Sequence, residues 1–109
     1  MLEPILGSVS RERVLIFILA RKEGYGREIA RFFETDIDPI QKQCEKLESG
    51  GVLVSHFAGR THLYSFNPRY PFLNELRCLL EKALSFYPEE EREKLVMNRR
   101  RPRRPGKPL

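Results

Sequence analysis

Cysteine is scarce in this chain of 109 residues, which carries two, Cys44 and Cys78. Two thiols so far apart exclude a disulfide framework and a cysteine-rich zinc site. Each falls at an apolar-spaced position of a helical pattern, so both read as buried, reduced thiols. Long apolar runs are missing too. The longest, Val14 to Ala20, has seven residues, against the ~20 that a membrane helix needs. The opening Met1-Leu2-Glu3-Pro4-Ile5-Leu6 has neither a basic stretch nor a long apolar core, so it does not read as a signal peptide. The expectation is a soluble, cytoplasmic protein with no membrane contact.

The usual signs of catalysis are also lacking. There is no glycine-rich phosphate loop, no Cys–His ligand spacing and no nucleophile–base set, so the chain reads as no enzyme, with no cofactor and no metal. The run Glu89 to Glu91 is better placed as the charged first turn of a helix than as a site.

Positive charge is unevenly spread. The chain holds 20 Lys and Arg against 15 Asp and Glu, for a net of +5. Six of the basic residues lie in 99–109, Arg-Arg-Arg-Pro-Arg-Arg-Pro-Gly-Lys-Pro-Leu, which has no acid. Residues 1–98 therefore keep 14 basic against 15 acidic groups, a net of −1. A segment rich in Pro and Arg, with Leu109 as its single large apolar residue, cannot build a core and is expected to be disordered. It is either an arm that adds attraction to phosphates or an inert solubilising tail.

The apolar pattern places the elements. A first helix is expected from about Ser10 to Lys22, capped by Ser8 or Ser10, with Val14, Leu15, Ile18 and Leu19 inward. Ile16 and Phe17 widen that stripe, so this helix is either central or shared with a partner. Glu23-Gly24-Tyr25-Gly26 breaks it. A short helix from Gly26 to Phe33 turns Ile29, Ala30 and Phe33 inward. The next helix is expected to start with Asp38 as cap and Pro39 in the first helical position. Its inward residues are Ile40, Cys44 and Leu47, and Gly50-Gly51 end it. Two β-prone runs follow, Val52 to His56 and Thr61 to Phe66. A turn at Ala58-Gly59 would set Leu53 opposite Tyr64, with Leu53, Tyr64 and Phe66 on the core face.

After Asn67-Pro68-Arg69-Tyr70-Pro71, a helix over 72–87 carries two apolar stripes, one through Phe72, Leu76, Leu79 and Ala83, the other through Leu73, Leu80, Leu84 and Tyr87. One helix with two apolar stripes needs two covers, its own domain and a second subunit. The fold class is mainly α with a small β-hairpin, a winged helix-turn-helix with an added C-terminal dimerisation helix. Residues 1–87 form that domain, 88–98 a short helical extension and 99–109 the basic tail.

The order helix, turn, helix, hairpin is the one that puts a recognition helix in a DNA major groove and a wing on the flanking backbone. The outward face of the recognition helix then offers Pro39, Gln41, Lys42, Gln43 and Lys46. Glutamine can pair with adenine, and lysine can donate to guanine or phosphate. Arg60 and Thr61 on the wing, and Arg27 and Arg31 on the preceding helix, are candidate backbone contacts. Each of these positions is equally well described as ordinary solvated surface when taken alone. Glu34, Asp36 and Asp38 at the turn oppose a phosphate. The alternative is a winged helix that binds a protein partner and no specific DNA. The expected dimer contacts are Phe72, Leu73, Leu76, Leu80, Leu84 and Tyr87.

Several stretches resemble prokaryotic winged helix-turn-helix transcriptional regulators of the ArsR-like class. They are Ser10-Arg11-Glu12-Arg13-Val14-Leu15, Arg27-Glu28-Ile29-Ala30, Asp38-Pro39-Ile40-Gln41-Lys42-Gln43, Leu47-Glu48-Ser49-Gly50-Gly51-Val52-Leu53, and Gly59-Arg60-Thr61 with Leu63-Tyr64. The resemblance runs from about Ile5 to Tyr87. It implies double-stranded DNA as partner and a homodimer joined through terminal helices, with a small-molecule effector left unspecified. Phe66 to Phe72, followed by Leu76, looks like a subgroup sometimes fused to a nucleotidyltransferase. No such domain stands in this sequence, so no transferase activity carries over. Metal sensors of the class use a Cys-x-Cys pair at the recognition helix. Only Cys44 is there, so metal sensing is not implied.

Overall fold

Five consecutive side chains, Val14 to Ile18, are at most 1% exposed, and that burial organises everything else. They belong to α2 (Val9–Arg21), the second of six helices in a computed structural model that describes residues 1–100, with side chains through Val96. A helix buried on all sides is a central one, which decides between the two readings of its wide stripe. Its neighbours are α1 (Glu3–Leu6), α3 (Gly26–Phe32), α4 (Ile37–Ser49), the strand pair β1 (Leu53–Ala58) and β2 (Thr61–Phe66), α5 (Leu73–Ser85) and α6 (Glu89–Arg100). Ser8 is the cap of α2, its Oγ accepting the Arg11 N–H at 3.1 Å.

The helix-turn-helix unit is α3, a short turn and α4. Glu34 N–H donates to Arg31 O at 3.2 Å and Thr35 N–H to Ala30 O at 3.0 Å. These two bonds are a Schellman ending, and it requires a left-handed residue between them. Glu34 fills that place with φ 55°, where glycine or asparagine is the usual choice. A Glu34→Asn variant should therefore gain about 0.5–1 kcal/mol, read as a higher urea midpoint. A midpoint equal to or below the parent's would show that Glu34 holds the turn in another way.

The start of α4 differs from expectation. It begins at Ile37 with Asp36, not Asp38, in the cap position, and no side chain caps it. Proline is tolerated anywhere in a first turn, because those N–H groups have no intrahelical acceptor. Pro39 therefore sits third rather than first. At the other end Gly51, at φ 83°, completes a second Schellman ending, with Gly51 N–H on Glu48 O and Val52 N–H on Leu47 O.

The strands pair as Leu53↔Phe66 through Ala58↔Thr61, leaving Gly59-Arg60 as the loop. The expected register, with Leu53 opposite Tyr64, is therefore displaced by two residues. Gly59 takes φ 65°, as the first central position of a II′ hairpin turn demands. A slip of two leaves every side chain on its face, so Leu53 and Tyr64 are buried and Phe66 half-buried, as expected. One contact was not expected. Gly24 exchanges both backbone hydrogen bonds with Tyr64, at 3.0 and 2.8 Å, and so joins the outer edge of β2.

Helix α5 lies on α2 through Leu80 and Ala83, which are 0% and 3% exposed. Helix α6 is more than a short extension. It runs to Arg100, and its Leu95 is 0% exposed against the same core. Arg21 fastens it, donating from Nε to Leu95 O at 3.1 Å and from Nη2 to Lys94 O at 3.3 Å. The expected tail at 99–109 thus loses its first two residues to a helix, and 101–109 lie outside the described residues.

Candidate nucleic-acid interface

Helix α4 packs through Ile40, Cys44 and Leu47 against α2 and α3. Its exposed residues are Ile37, Asp38, Pro39, Lys42, Glu45, Lys46 and Ser49. Lys42 and Lys46, one turn apart, form its cationic stripe, and neither has an ion-pair partner among the described residues. Arg27 and Arg31 are exposed on α3, Arg60 is exposed in the hairpin loop, and Thr61 is half-buried beside it.

Two expected base-reading residues are not free. Gln43 is only 9% exposed, and its Oε1 accepts from Arg11 Nε at 2.9 Å. It belongs to the α2–α4 seam because position 43 completes the i, i+3, i+4, i+7 stripe with 40, 44 and 47. Gln41 is half-buried and donates to Tyr64 OH at 3.2 Å and to Glu45 Oε2 at 3.4 Å. It ties α4 to the hairpin, and the missing side chain of Gly26 leaves room for it. Burial pushes the Tyr64 phenol up, so it stays protonated as a hydrogen-bonding partner.

The wing carries an arrangement that the sequence did not announce. Phe57 is 67% exposed and stacks on His62 at 4.5 Å, and His62 lies 4.7 Å from Tyr64. Ser55 Oγ donates to Glu48 Oε2 at 2.5 Å and meets His62 Nε2 at 2.8 Å. The odd-numbered positions of β1 and the even-numbered ones of β2 share a face. Leu53 and Tyr64 use it as core, while Phe57 extends it beyond the core's edge. His56 lies on the other face, so the two histidines do not converge.

The thiols differ from each other. Cys44 is buried, and burial raises its thiol to about 12, which leaves it unreactive at neutral pH. Cys78 is exposed, against expectation, because it lies on the side of α5 opposite the buried Leu80. Among the described residues no three His, Cys, Asp or Glu side chains gather where they could hold a metal ion. Among the same residues no helix is long and apolar enough to cross a membrane.

On α5 the residues expected at a dimer contact are divided. Phe72 is 62% exposed, and Leu73, Leu76 and Leu84 are half-buried. Leu80 is closed inside its own protomer at 0% exposure, so it has no surface to give a partner. Tyr87 is half-buried and donates its hydroxyl to Glu12 Oε2 at 2.6 Å. Phe86, 66% exposed, was not singled out by the two-stripe pattern.

No protein-family model matches the sequence, and no curated protein matches it. Among solved structures the chain is similar to a doubly substituted variant of Lactococcus lactis ZitR in apo form, with 22% identity and a TM-score of 0.54. The likeness covers 83% of this chain and 76% of the other. The shared architecture is a winged helix-turn-helix: a mostly helical domain with one two-stranded antiparallel hairpin.

Proposed function

We propose that this protein is a transcriptional regulator that binds double-stranded DNA as a homodimer. Helix α4 enters the major groove and the β1–β2 wing rests on the backbone. The observation that carries this reading is the exposed, unpaired Lys42–Lys46 stripe on the outward face of the second helix of a helix-turn-helix. With Gln41 and Gln43 engaged inside the protein, the contacts of α4 with base edges and phosphates fall to Lys42, Lys46 and Ser49. Arg27, Arg31 and Arg60 supply phosphate contacts. The second subunit covers Phe72 and the half-buried leucines of α5, and the dimer's symmetry calls for an inverted repeat with half-sites about one helical turn apart.

The test is the double replacement Lys42→Ala/Lys46→Ala in the full chain, against a duplex selected from a random pool. Affinity should fall about tenfold to thirtyfold, and the slope of log K against log salt should shrink by about two units. The basic residues of 99–109 are common to both proteins, so their contribution cancels. Equal affinity and equal slope would show that α4 does not enter the groove. A second reading has one observation in its favour. Asp36, Asp38 and Glu45 are exposed on and beside the same helix, which suits a basic protein partner. Under that reading the full chain binds no selected duplex in preference to a scrambled one.

A further inference from the structure

A groove of about 240 Å³ runs between the beginning of α2 and the first turns of α4, lined by Ser8, Ser10, Asp38, Pro39, Lys42 and Gln43. We propose that it is a phosphodiester-binding cleft that seats one backbone phosphate of the DNA. This rests on the DNA-binding reading above and assigns a new role to Gln43, which cannot read bases.

Gln43 supplies the first argument. Arg11 Nε can only donate, so the amide end bonded to it must be the oxygen. The other end, Nε2, carries two hydrogens and has no protein acceptor among the described residues. A buried donor without an acceptor costs about 1–3 kcal/mol, so this side chain, nine-tenths buried on the wall of the groove, calls for an acceptor from outside. The second argument is independent. Helix α2 has 13 residues, and only two donors of its first turn are accounted for: Arg11 N–H on Ser8 Oγ and Glu12 N–H on Ser8 O. The N–H groups of Val9 and Ser10 remain, at the positive end of the helix dipole. Lys42 brings a full positive charge with no ion-pair partner among the described residues.

Asp38 sets the charge of the ligand. Its carboxylate lines the same groove and offsets Lys42, so the excess is the half charge of the helix end together with the Arg11 guanidinium bonded to Gln43. That balance suits a monoanion with two free oxygens, which is what a phosphodiester presents. Position favours DNA as its source. Asp38, Pro39 and Lys42 belong to the N-terminal turns of α4, the end of a recognition helix that approaches base edges. A flanking phosphate passes there.

The test uses the full chain with two probes, a selected duplex and dimethyl phosphate, the latter at constant ionic strength against chloride. Ser10→Asp places a negative charge in the cleft yet favours the first turn of α2, so folding is retained. Ser10→Thr keeps the hydroxyl and serves as control. In the parent, dimethyl phosphate should shift the amide resonances of Val9 and Ser10 and the side-chain amide of Gln43. In Ser10→Asp those shifts should vanish, duplex affinity should fall about tenfold, and the salt slope should drop by about one unit, while Ser10→Thr behaves as the parent. If Lys46→Ala weakens duplex binding but Ser10→Asp does not, the cleft is refuted and the DNA-binding reading stands. Shifts with dimethyl phosphate and no effect of Ser10→Asp on the duplex would mean an adventitious ion only, which also refutes it. A parent that binds no duplex removes both.

Discussion

Replacing Gly24 by alanine is expected to cost about 2–3 kcal/mol of stability, an effect out of scale with one added methyl group. A Cβ at that position would stand 2.7 and 2.8 Å from Cε1 and Cδ1 of the Phe17 ring. That ring is 0% exposed, with the Arg21 guanidinium 4.5 Å from its centroid and the Phe32 ring edge-on at 5.8 Å. It has no free direction in which to yield. The backbone of Gly24 cannot retreat either, because both its hydrogen bonds to Tyr64 would lengthen together. The loss should appear as a melting temperature lower by about 10–15 °C for a domain of this size. Adding Phe17→Leu to Gly24→Ala should restore part of the loss, since the second change removes the atoms that the first one strikes. Equal stability of Gly24→Ala and the parent would mean that the 23–26 turn moves as a body, and that its bridge to β2 is weak.

That contact also marks the limit of what could be read from sequence. Gly24 looks like a helix breaker, but α2 already ends at Arg21 with Lys22 left-handed at φ 76°, and Gly24 serves instead as a bridge to β2. Its pairing with a strand 40 positions later leaves no local trace, because a backbone bridge makes no demand on side-chain pattern. The elements themselves were legible wherever one apolar period dominated: Ile29 and Ala30, Ile40, Cys44 and Leu47, Leu53 and Tyr64. Gln43 lies on the same period, but a polar side chain there reads as surface. Its burial depends on Arg11, which no spacing within α4 could announce. The hairpin shows the reverse case. Either Ala58-Gly59 or Gly59-Arg60 centres a glycine in a tight turn, so the pairing was open by two residues while the inward face was not. On α5 the two stripes were visible, but which residues the domain claims was not. Leu80 went inward because α2 lies against it, and Leu95 of α6 arrives from a segment too polar to suggest a core.

The other large effect is expected at Glu12, which α2 carries into the interior at 4% exposure. Its Oε2 accepts the Tyr87 hydroxyl at 2.6 Å, and its Oε1 accepts the Leu2 N–H at 2.8 Å and the Met1 amino group at 3.3 Å. One carboxylate thus joins α1, α2 and the end of α5. Glu12→Ala would leave the Tyr87 hydroxyl and the Leu2 N–H without an acceptor, at about 1–3 kcal/mol for each buried donor. Glu12→Gln keeps one acceptor and should cost less, about 1–2 kcal/mol. Burial alone would push the Glu12 carboxyl up, but the bonds from Tyr87, Leu2 and the amino terminus bring it below its ordinary 4.5. Tyr87 moves the other way, raised by burial and then by the carboxylate it serves. A carboxyl with a depressed folded-state value stabilises the fold above its unfolded value and loses that contribution as pH falls through the folded one. The advantage of the parent over Glu12→Gln should therefore be full at pH 6–7 and shrink below about 4.5. Glu28 works against this in the parent. Burial raises its carboxyl, with Arg21 at 3.6 Å opposing, so its penalty is relieved as pH falls. Because Glu28 is present in both proteins, the difference between their unfolding free energies isolates Glu12. A difference that stays constant from pH 7 to pH 3 would mean that position 12 contributes through packing and not through its charge.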